Sequence, residues 1–202
     1  MSLDDWMTET KQRYRDRDAW TATKWSASEL AIGAGRRVGQ EWNYGRNVWD
    51  YDWDALVILD ACRYDLFCEV APGYDWLPDS PDAAYAAASM SEEWLERHTG
   101  RDHRAEMADT ALISGNAYPY LSDTVDPSEW AHVDNLVTHQ WDDDHGTVLA
   151  RPVTDATVDF WRHRRHEAGA DRVISWYIQP HAPFVHADWS EGFDRDSLGN
   201  PD

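Results

Sequence analysis

Asp60 directly follows the short apolar run from Ala55 to Leu59. Such a run is typical of a buried strand in a parallel sheet, and ligands of these sheets bind at the carboxyl ends of the strands. A carboxylate there suits a cation such as Mg²⁺, Mn²⁺, Ca²⁺ or Zn²⁺. Arg63 would lie over the first turn of the next helix and face the same crevice. Because an aspartate at a strand end is also a common helix N-cap, both interpretations of Asp60 stay open.

His181 follows a second apolar run, Val173 to Ile178, and stands between Pro180 and Pro183. The two prolines restrict the backbone around the histidine, so its imidazole would be presented from a stiff loop at a strand end. Such a loop suits the binding of an anion. The alternative is a loop histidine that hydrogen-bonds nearby carbonyl groups.

In this order, the two motifs resemble the alkaline phosphatase superfamily, specifically its sulfatase-like branch. The resemblance covers about residues 43–193 and rests on the strand that ends in Asp60, with Arg63 and Asp65, and on the segment 181–184. It implies that Asp60 binds the catalytic metal and that the histidine of the second motif contacts the anionic substrate. The nearest relatives that it suggests are sulfatase-like proteins of halophilic archaea.

In that family a nucleophile follows the first aspartate within a few dozen residues, at the start of a helix. The segment 86–95 reads as such a start, with Ser89 as the first candidate and Ser91 as the second. Ser91 matches a threonine in some relatives, and its spacing to the two following glutamates also suits a simple N-cap. Backbone amides there would attract an anionic group, and a metal would activate the hydroxyl. The Cys-x-Pro-Ser-Arg pattern of true sulfatases is absent, which favours phosphate or another ester over sulfate.

Asn116 follows a third strand-like run, residues 110–114. Its amide would supply a further substrate-binding group. An asparagine after Gly115 is also a common turn former, and that interpretation stays open.

The family completes its metal site with a late Asp-His-Gly that follows a buried strand. Asp144-His145-Gly146 has these letters, but it follows the polar run 140–143 and precedes His181, so we predict a turn there. The chain therefore looks like the amino-terminal part of a sulfatase-like domain, with little activity alone and with a companion polypeptide as one source of the remainder. A second interpretation is a truncated, non-catalytic relative that serves as a binding or interaction module.

Composition indicates the setting of the protein. Acidic residues number 38 against 18 basic ones, for a net charge of −20, and lysine occurs only at Lys11 and Lys24. Acidic, lysine-poor surfaces stay hydrated in concentrated salt, so we predict a halophilic protein. The charge argues against nucleic acid as a partner. The resemblance implies a small-molecule or glycan phosphate or sulfate ester, and the lack of a visible signal peptide or membrane span predicts a cytoplasmic location.

The elements that must position these residues predict an α/β fold with a mainly parallel sheet flanked by helices. The resemblance implies that this fold is alkaline-phosphatase-like and incomplete at its carboxyl end. We expect residues 1–44 to form an amino-terminal helical segment and residues 45–202 to form the amino-terminal part of a sulfatase-like α/β domain. Strands are expected at 55–59, 110–114 and 135–138, and in a run that ends at Pro180; helices are expected to reach about Val70 and His98 and to run from Thr154 to Ala168.

Overall fold

The structure, a computed structural model, describes residues 19–41, 44–122 and 125–186. Contacts divide the chain into two compact units, Met1–Tyr44 and Gly45–Asp202. In the first unit the described part is one helix, α1 (Ala19–Glu41), on which Trp20 and Trp25 are exposed. None of the helices in the described ranges has the length and apolarity needed to cross a bilayer.

The second unit is built on a four-stranded parallel sheet with the order β1-β6-β2-β3. Its strands are β1 (Ala55–Leu59), β2 (Thr110–Ser114), β3 (His132–Asn135) and β6 (Arg172–Tyr177). A small antiparallel hairpin joins β4 (Trp141–Asp142) to β5 (Thr147–Val148). The predicted α/β class with a parallel sheet is therefore confirmed.

Helices connect the strands and cover the sheet. They are α2 (Tyr64–Val70), α3 (Ser91–His98), α4 (Arg104–Ala108), α5 (Tyr118–Leu121), α6 (Ala150–Asp159) and α7 (Arg165–Ala168), with a π-helical stretch at Phe160–Arg164. Single 3₁₀ turns lie at Val48–Asp50, Ala71–Gly73, Arg101–His103, Pro127–Glu129 and Leu136–Thr138.

Two hydrophobic cores lie on the opposite faces of the sheet, because successive side chains of a strand point to opposite sides. Val173 of β6 belongs to the core that contains Val153 of α6 and Phe160. Ile174 and Trp176 of the same strand point to the opposite face and belong to the other core. Each fully buried aliphatic side chain contributes about 1.5–3 kcal/mol to folding, so both cores hold the strand order in place.

Strand β1 differs from the buried strand that the sequence predicts. It lies at the edge of the described sheet, where β6 is its partner, and its burial alternates along the strand. Val57 is 56% exposed and Leu59 is 38% exposed. Although the sequence of β1 is apolar at every position, one face of the strand is partly covered and the other is exposed.

The prediction of a strand at 135–138 is wrong, because β3 ends at Asn135, the first residue of that segment. The side-chain oxygen of Asn135 accepts the backbone N–H of Val137 at 3.2 Å, and the Thr138 hydroxyl donates to the Asn135 carbonyl at 2.8 Å. These local bonds turn the chain into a 3₁₀ helix, as asparagine side chains commonly do. The apolar side chains of this turn are buried in the core without forming a strand.

The last helix and strand are found with shifted bounds. The helix predicted from Thr154 begins at Ala150, since Leu149 is extended and Pro152 is tolerated in a first turn. The final strand ends at Tyr177, before the backbone enters the proline-bounded loop that contains His181.

Candidate active site

Asp60 is held at the carboxyl end of β1 by the strand beside it. Its backbone N–H donates to the carbonyl of Tyr177 at 3.0 Å, and Cys62 closes the following turn with a bond to Leu59 at 3.1 Å. Ala61, inside that turn, has a φ of 56°, a left-handed conformation that costs a non-glycine residue about 1–2 kcal/mol. Backbone strain of this kind is concentrated at functional sites, which makes the turn a candidate position for one.

Three side chains converge on a single carboxylate oxygen of Asp60. Oδ2 lies 3.2 Å from the Ser91 hydroxyl, 2.5 Å from Nδ2 of Asn116 and 3.3 Å from the indole nitrogen of Trp176. Nδ2 of Asn116 also lies 3.2 Å from the Ser91 oxygen. These four residues form the Asp60 cluster, and the structure thus brings together three of the residues singled out in the sequence.

Ser91 enters the cluster because it is the first residue of α3, which begins after the extended Met90. Asn116 enters it from the turn after β2, where it is 2% exposed. Oδ1 of Asn116 accepts the backbone N–H of Tyr118 at 2.8 Å, and its backbone N–H donates to Ser114 Oγ at 3.0 Å. The turn-forming role and the site role of this asparagine are therefore fulfilled by different atoms of one side chain.

Trp176 is the member of the cluster that sequence reasoning missed. It is 2% exposed in β6 and makes an edge-on contact with Trp94 of α3, with ring centroids 4.9 Å apart. Trp94 in turn stacks on His98 at 4.4 Å, and burial lowers the pKa of that histidine. The aromatic contacts brace α3 against β6. The sequence shows a tryptophan, whose indole N–H is a hydrogen-bond donor, near the end of an apolar strand. Its contact with Asp60 depends on β6 lying beside β1, which the sequence does not show.

Ser89 and Arg63 make their contacts elsewhere. The backbone N–H and hydroxyl of Ser89 both bond to Glu93 Oε2, at 3.1 and 3.3 Å, as part of the start of α3. The Arg63 guanidinium is exposed and paired with Asp65, with an Nε–Oδ1 distance of 2.9 Å, and this hydrogen bond lowers the pKa of Asp65. Of the two candidate serines, Ser91 is the one that the structure brings to Asp60.

His181 lies in an exposed loop and contacts its own neighbours. Its Nδ1 lies 2.6 Å from the Ala182 carbonyl, and the peptide bonds before Pro180 and Pro183 are both cis. The imidazole borders a groove of about 620 Å³ whose lining includes Leu149, at the start of α6. None of the residues that line this groove belongs to the Asp60 cluster. The observed contact is the one expected for a loop histidine that hydrogen-bonds a nearby carbonyl group.

The segment Asp144-His145-Gly146 forms the turn between β4 and β5, so the predicted turn is confirmed. The backbone N–H and Nδ1 of His145 lie 2.9 and 2.8 Å from Asp142 Oδ1. The His145 hydrogen bond lowers the pKa of Asp142. Gly146 has a φ of 59°, which a hairpin turn of this kind requires.

A divalent cation needs several ligand atoms whose lone pairs face it. Within residues 19–41, 44–122 and 125–186, no three His, Cys, Asp or Glu side chains are grouped closely enough to hold an ion together. Oδ2 receives N–H and O–H groups, whose hydrogens direct positive charge at this oxygen. A cation at Oδ2 would meet the same hydrogens, so the donor set does not fit a cation bound through that oxygen.

Comparison of the chain with models of protein families, with curated proteins and with solved structures gives no match. The sulfatase-like resemblance therefore rests on the two sequence motifs.

Proposed function

We propose that this chain is a hydrolase or transferase that acts on a phosphate or sulfate ester, with Ser91 as the attacking group in an alkaline-phosphatase-like domain. The observation that carries the proposal is the placement of the Ser91 hydroxyl between Asp60 Oδ2 and Asn116 Nδ2, each 3.2 Å away. A hydroxyl held between an acceptor and a donor is oriented for attack. The order of the two sequence motifs supplies the class of substrate.

The start of α3 adds a second favourable element. The N–H of Trp94 is the first in the helix to find a backbone partner, at Met90, so the amides before it point out of the helix end. Such amides attract the oxygens of a transferred phosphate or sulfate group. Two acidic side chains, Glu92 and Glu93, lie in this turn. Glu93 accepts a hydrogen bond from Ser89 and forms an ion pair with Arg97.

In the proposed reaction Ser91 attacks the phosphorus or sulfur atom of the ester, and Asn116 holds the attacking oxygen in position through its N–H. Trp176 and Asn116 keep the Asp60 carboxylate in one orientation. A cation, where one is bound, would neutralise charge on the transferred group. Since the donor set does not match a cation at Oδ2, no step is assigned to one.

Release of phenol from aryl phosphate and aryl sulfate esters in molar KCl tests this proposal, with and without added Mg²⁺ or Mn²⁺. Ser91→Ala is expected to abolish turnover, and Ser89→Ala, two residues away at the same helix start, should retain most of it. Equal turnover by the wild type and Ser91→Ala would remove Ser91 from the reaction.

A second candidate is an interaction module whose companion polypeptide covers the open face of β1. The exposure of Val57 and Leu59, which lie on the same face of β1 and are 56% and 38% exposed, favours it. Single exposed apolar residues are ordinary on soluble proteins, whereas a contiguous set indicates a contact surface. Absence of turnover and of any covalent product at Ser91 with every ester class would favour this candidate over the enzyme.

A further inference from the structure

The hydrogen atoms of the Asp60 cluster can be placed from the partners alone. The backbone N–H of Tyr118 requires an acceptor, so the atom of Asn116 that faces it at 2.8 Å is Oδ1. Nδ2 is then the atom that faces Asp60 and Ser91, and it carries donors only. This assignment comes from the network itself.

The orientation of Asn116 fixes the direction of the Ser91 hydroxyl. Because Nδ2 cannot accept a hydrogen bond, its contact with Ser91 must run from the amide N–H to the hydroxyl oxygen. The single hydrogen of Ser91 is therefore left for Asp60 Oδ2, 3.2 Å away. The serine oxygen accepts from one neighbour and donates to the other.

Asp60 is prevented from turning away from Ser91. The indole N–H of Trp176 is a donor only and reaches the same Oδ2 at 3.3 Å, and the ring that carries it is 2% exposed. The edge-on contact with Trp94 fixes the indole between β6 and α3. A carboxylate held next to a hydroxyl that donates to it has the geometry of a general base and its nucleophile.

We propose that Asp60 is the general base of Ser91 and that Asn116 and Trp176 are positioning residues. Oδ2 takes the hydroxyl proton as Oγ forms its bond to phosphorus or sulfur, and the ester oxygen departs with the electron pair of the broken bond. This step rests on the proposed function, and it assigns Asp60 a role that differs from the metal-binding role implied by the sulfatase-like resemblance. General-base assistance of this kind contributes about 10²–10⁴-fold to rate.

Covalent labelling of Ser91 in the presence of EDTA tests the base without requiring ester turnover. Diisopropyl fluorophosphate forms a bond between its phosphorus and Oγ, fluoride leaves, and the hydroxyl proton passes to Asp60. The labelling rate of the full chain is followed in molar KCl by intact mass spectrometry, and peptide mapping locates the product. The wild type should label at Ser91, and Ser89→Ala should label at the same rate.

Asp60→Asn keeps the shape of the side chain but removes its ability to take a proton, so its labelling rate should fall by about 100-fold or more. Trp176→Phe keeps the buried ring and loses the N–H, so a several-fold fall is expected, and it serves as the second variant if Asp60→Asn does not fold. Labelling of Asp60→Asn at the wild-type rate would overturn the proposal, and where that variant does not fold, labelling of Trp176→Phe at the wild-type rate would do so. Wild-type labelling that stops in EDTA and returns with Mn²⁺ would overturn it as well, in favour of activation by a cation.

The two proposals fail in distinguishable ways. Ester turnover that depends on Ser91, together with equal labelling of the wild type and Asp60→Asn, leaves the proposed function standing and removes the base. Labelling that depends on Asp60, with no turnover of any ester, supports the base and removes the proposed substrate class.

Discussion

Trp176 donates its indole N–H to Oδ2 of Asp60 at 3.3 Å, although the two residues are 116 positions apart in the chain. The bond joins the middle of the sheet to the loop that follows its edge strand. The same carboxylate oxygen also receives Ser91 and Asn116, so the geometry at Asp60 depends on three separate segments. Substitutions in any one of them are therefore expected to affect the others.

Asn116→Ala is expected to lower the free energy of unfolding by about 1–3 kcal/mol, because it leaves buried donors and acceptors around Asp60 unsatisfied. Urea unfolding in constant salt measures the change. Asn135→Ala is the matched control, since Asn135 also accepts the N–H two residues further on, from Val137, and has no bond to Asp60. Equal effects of the two substitutions would reduce the role of Asn116 to its turn.

Arg172→Lys is expected to destabilise the second unit by about 1 kcal/mol. The guanidinium makes two bonds of 3.0 Å with Asp109 and lies over the rings of Trp49 and Trp53, and an ammonium group cannot reproduce this planar arrangement. The control is Arg151→Lys, which affects an exposed pair with Asp155 and should change stability by less than about 0.5 kcal/mol. Thermal unfolding compares them, and equal shifts would contradict the stacked arrangement.

Stability should fall as the pH is lowered from about 7.5 to about 5.5, around the ordinary histidine pKa. Burial lowers the pKa of His98 and of His132, so the unfolded chain binds more protons in this range and acid favours unfolding. The stabilisation is present above the unfolded pKa and is lost as the pH falls through the folded one. Denaturant unfolding at several pH values measures the slope.

His98→Gln should flatten this dependence. A slope that is the same in the wild type and in His98→Gln would show that acid acts through other groups.

The melting temperature is expected to rise with KCl because the net charge of −20 is self-repelling. Like charges repel over about 30 Å at 0.01 M salt and over about 3 Å at 1 M. Most of the rise should occur below a few hundred millimolar, where screening changes fastest. A melting temperature that is constant from low salt to molar KCl would count against the halophilic interpretation.

Local sequence patterns were sufficient for the parts of the site that depend on one segment. The apolar run before Asp60 predicted a strand with a carboxylate at its end, and the residues before Leu95 predicted a helix start with a candidate hydroxyl. The choice between Ser89 and Ser91 depends on where the first helical turn begins, and a shift of two residues changes which side of the helix a hydroxyl faces. Composition and spacing do not determine that position.

Properties that depend on strand order could not be derived in the same way. The sequence contains no sign that β6 lies between β1 and β2, and therefore none that Trp176 would reach Asp60. The position of β1 at the edge of the described sheet could not be predicted either, because an apolar run is typical of a strand buried on both faces. His181 lies in a loop that follows β6, as the sequence predicts, but its contact with the Ala182 carbonyl depends on the local fold of that loop.

The strand order also sets the time at which the site can form during synthesis. In the described sheet β1 pairs with β6, which is the last of these strands to leave the ribosome, and Asp60 gains its backbone bond to Tyr177 only then. Pairings that are distant in sequence form slowly, and unpaired apolar strands are prone to aggregate in the interval. A nascent chain that ends before Arg172 carries Ser91 and Asn116 but lacks β6, the strand that pairs with β1 in the described sheet. Translation of β6 is therefore the event that couples the pairing of β1 to assembly of the Asp60 cluster.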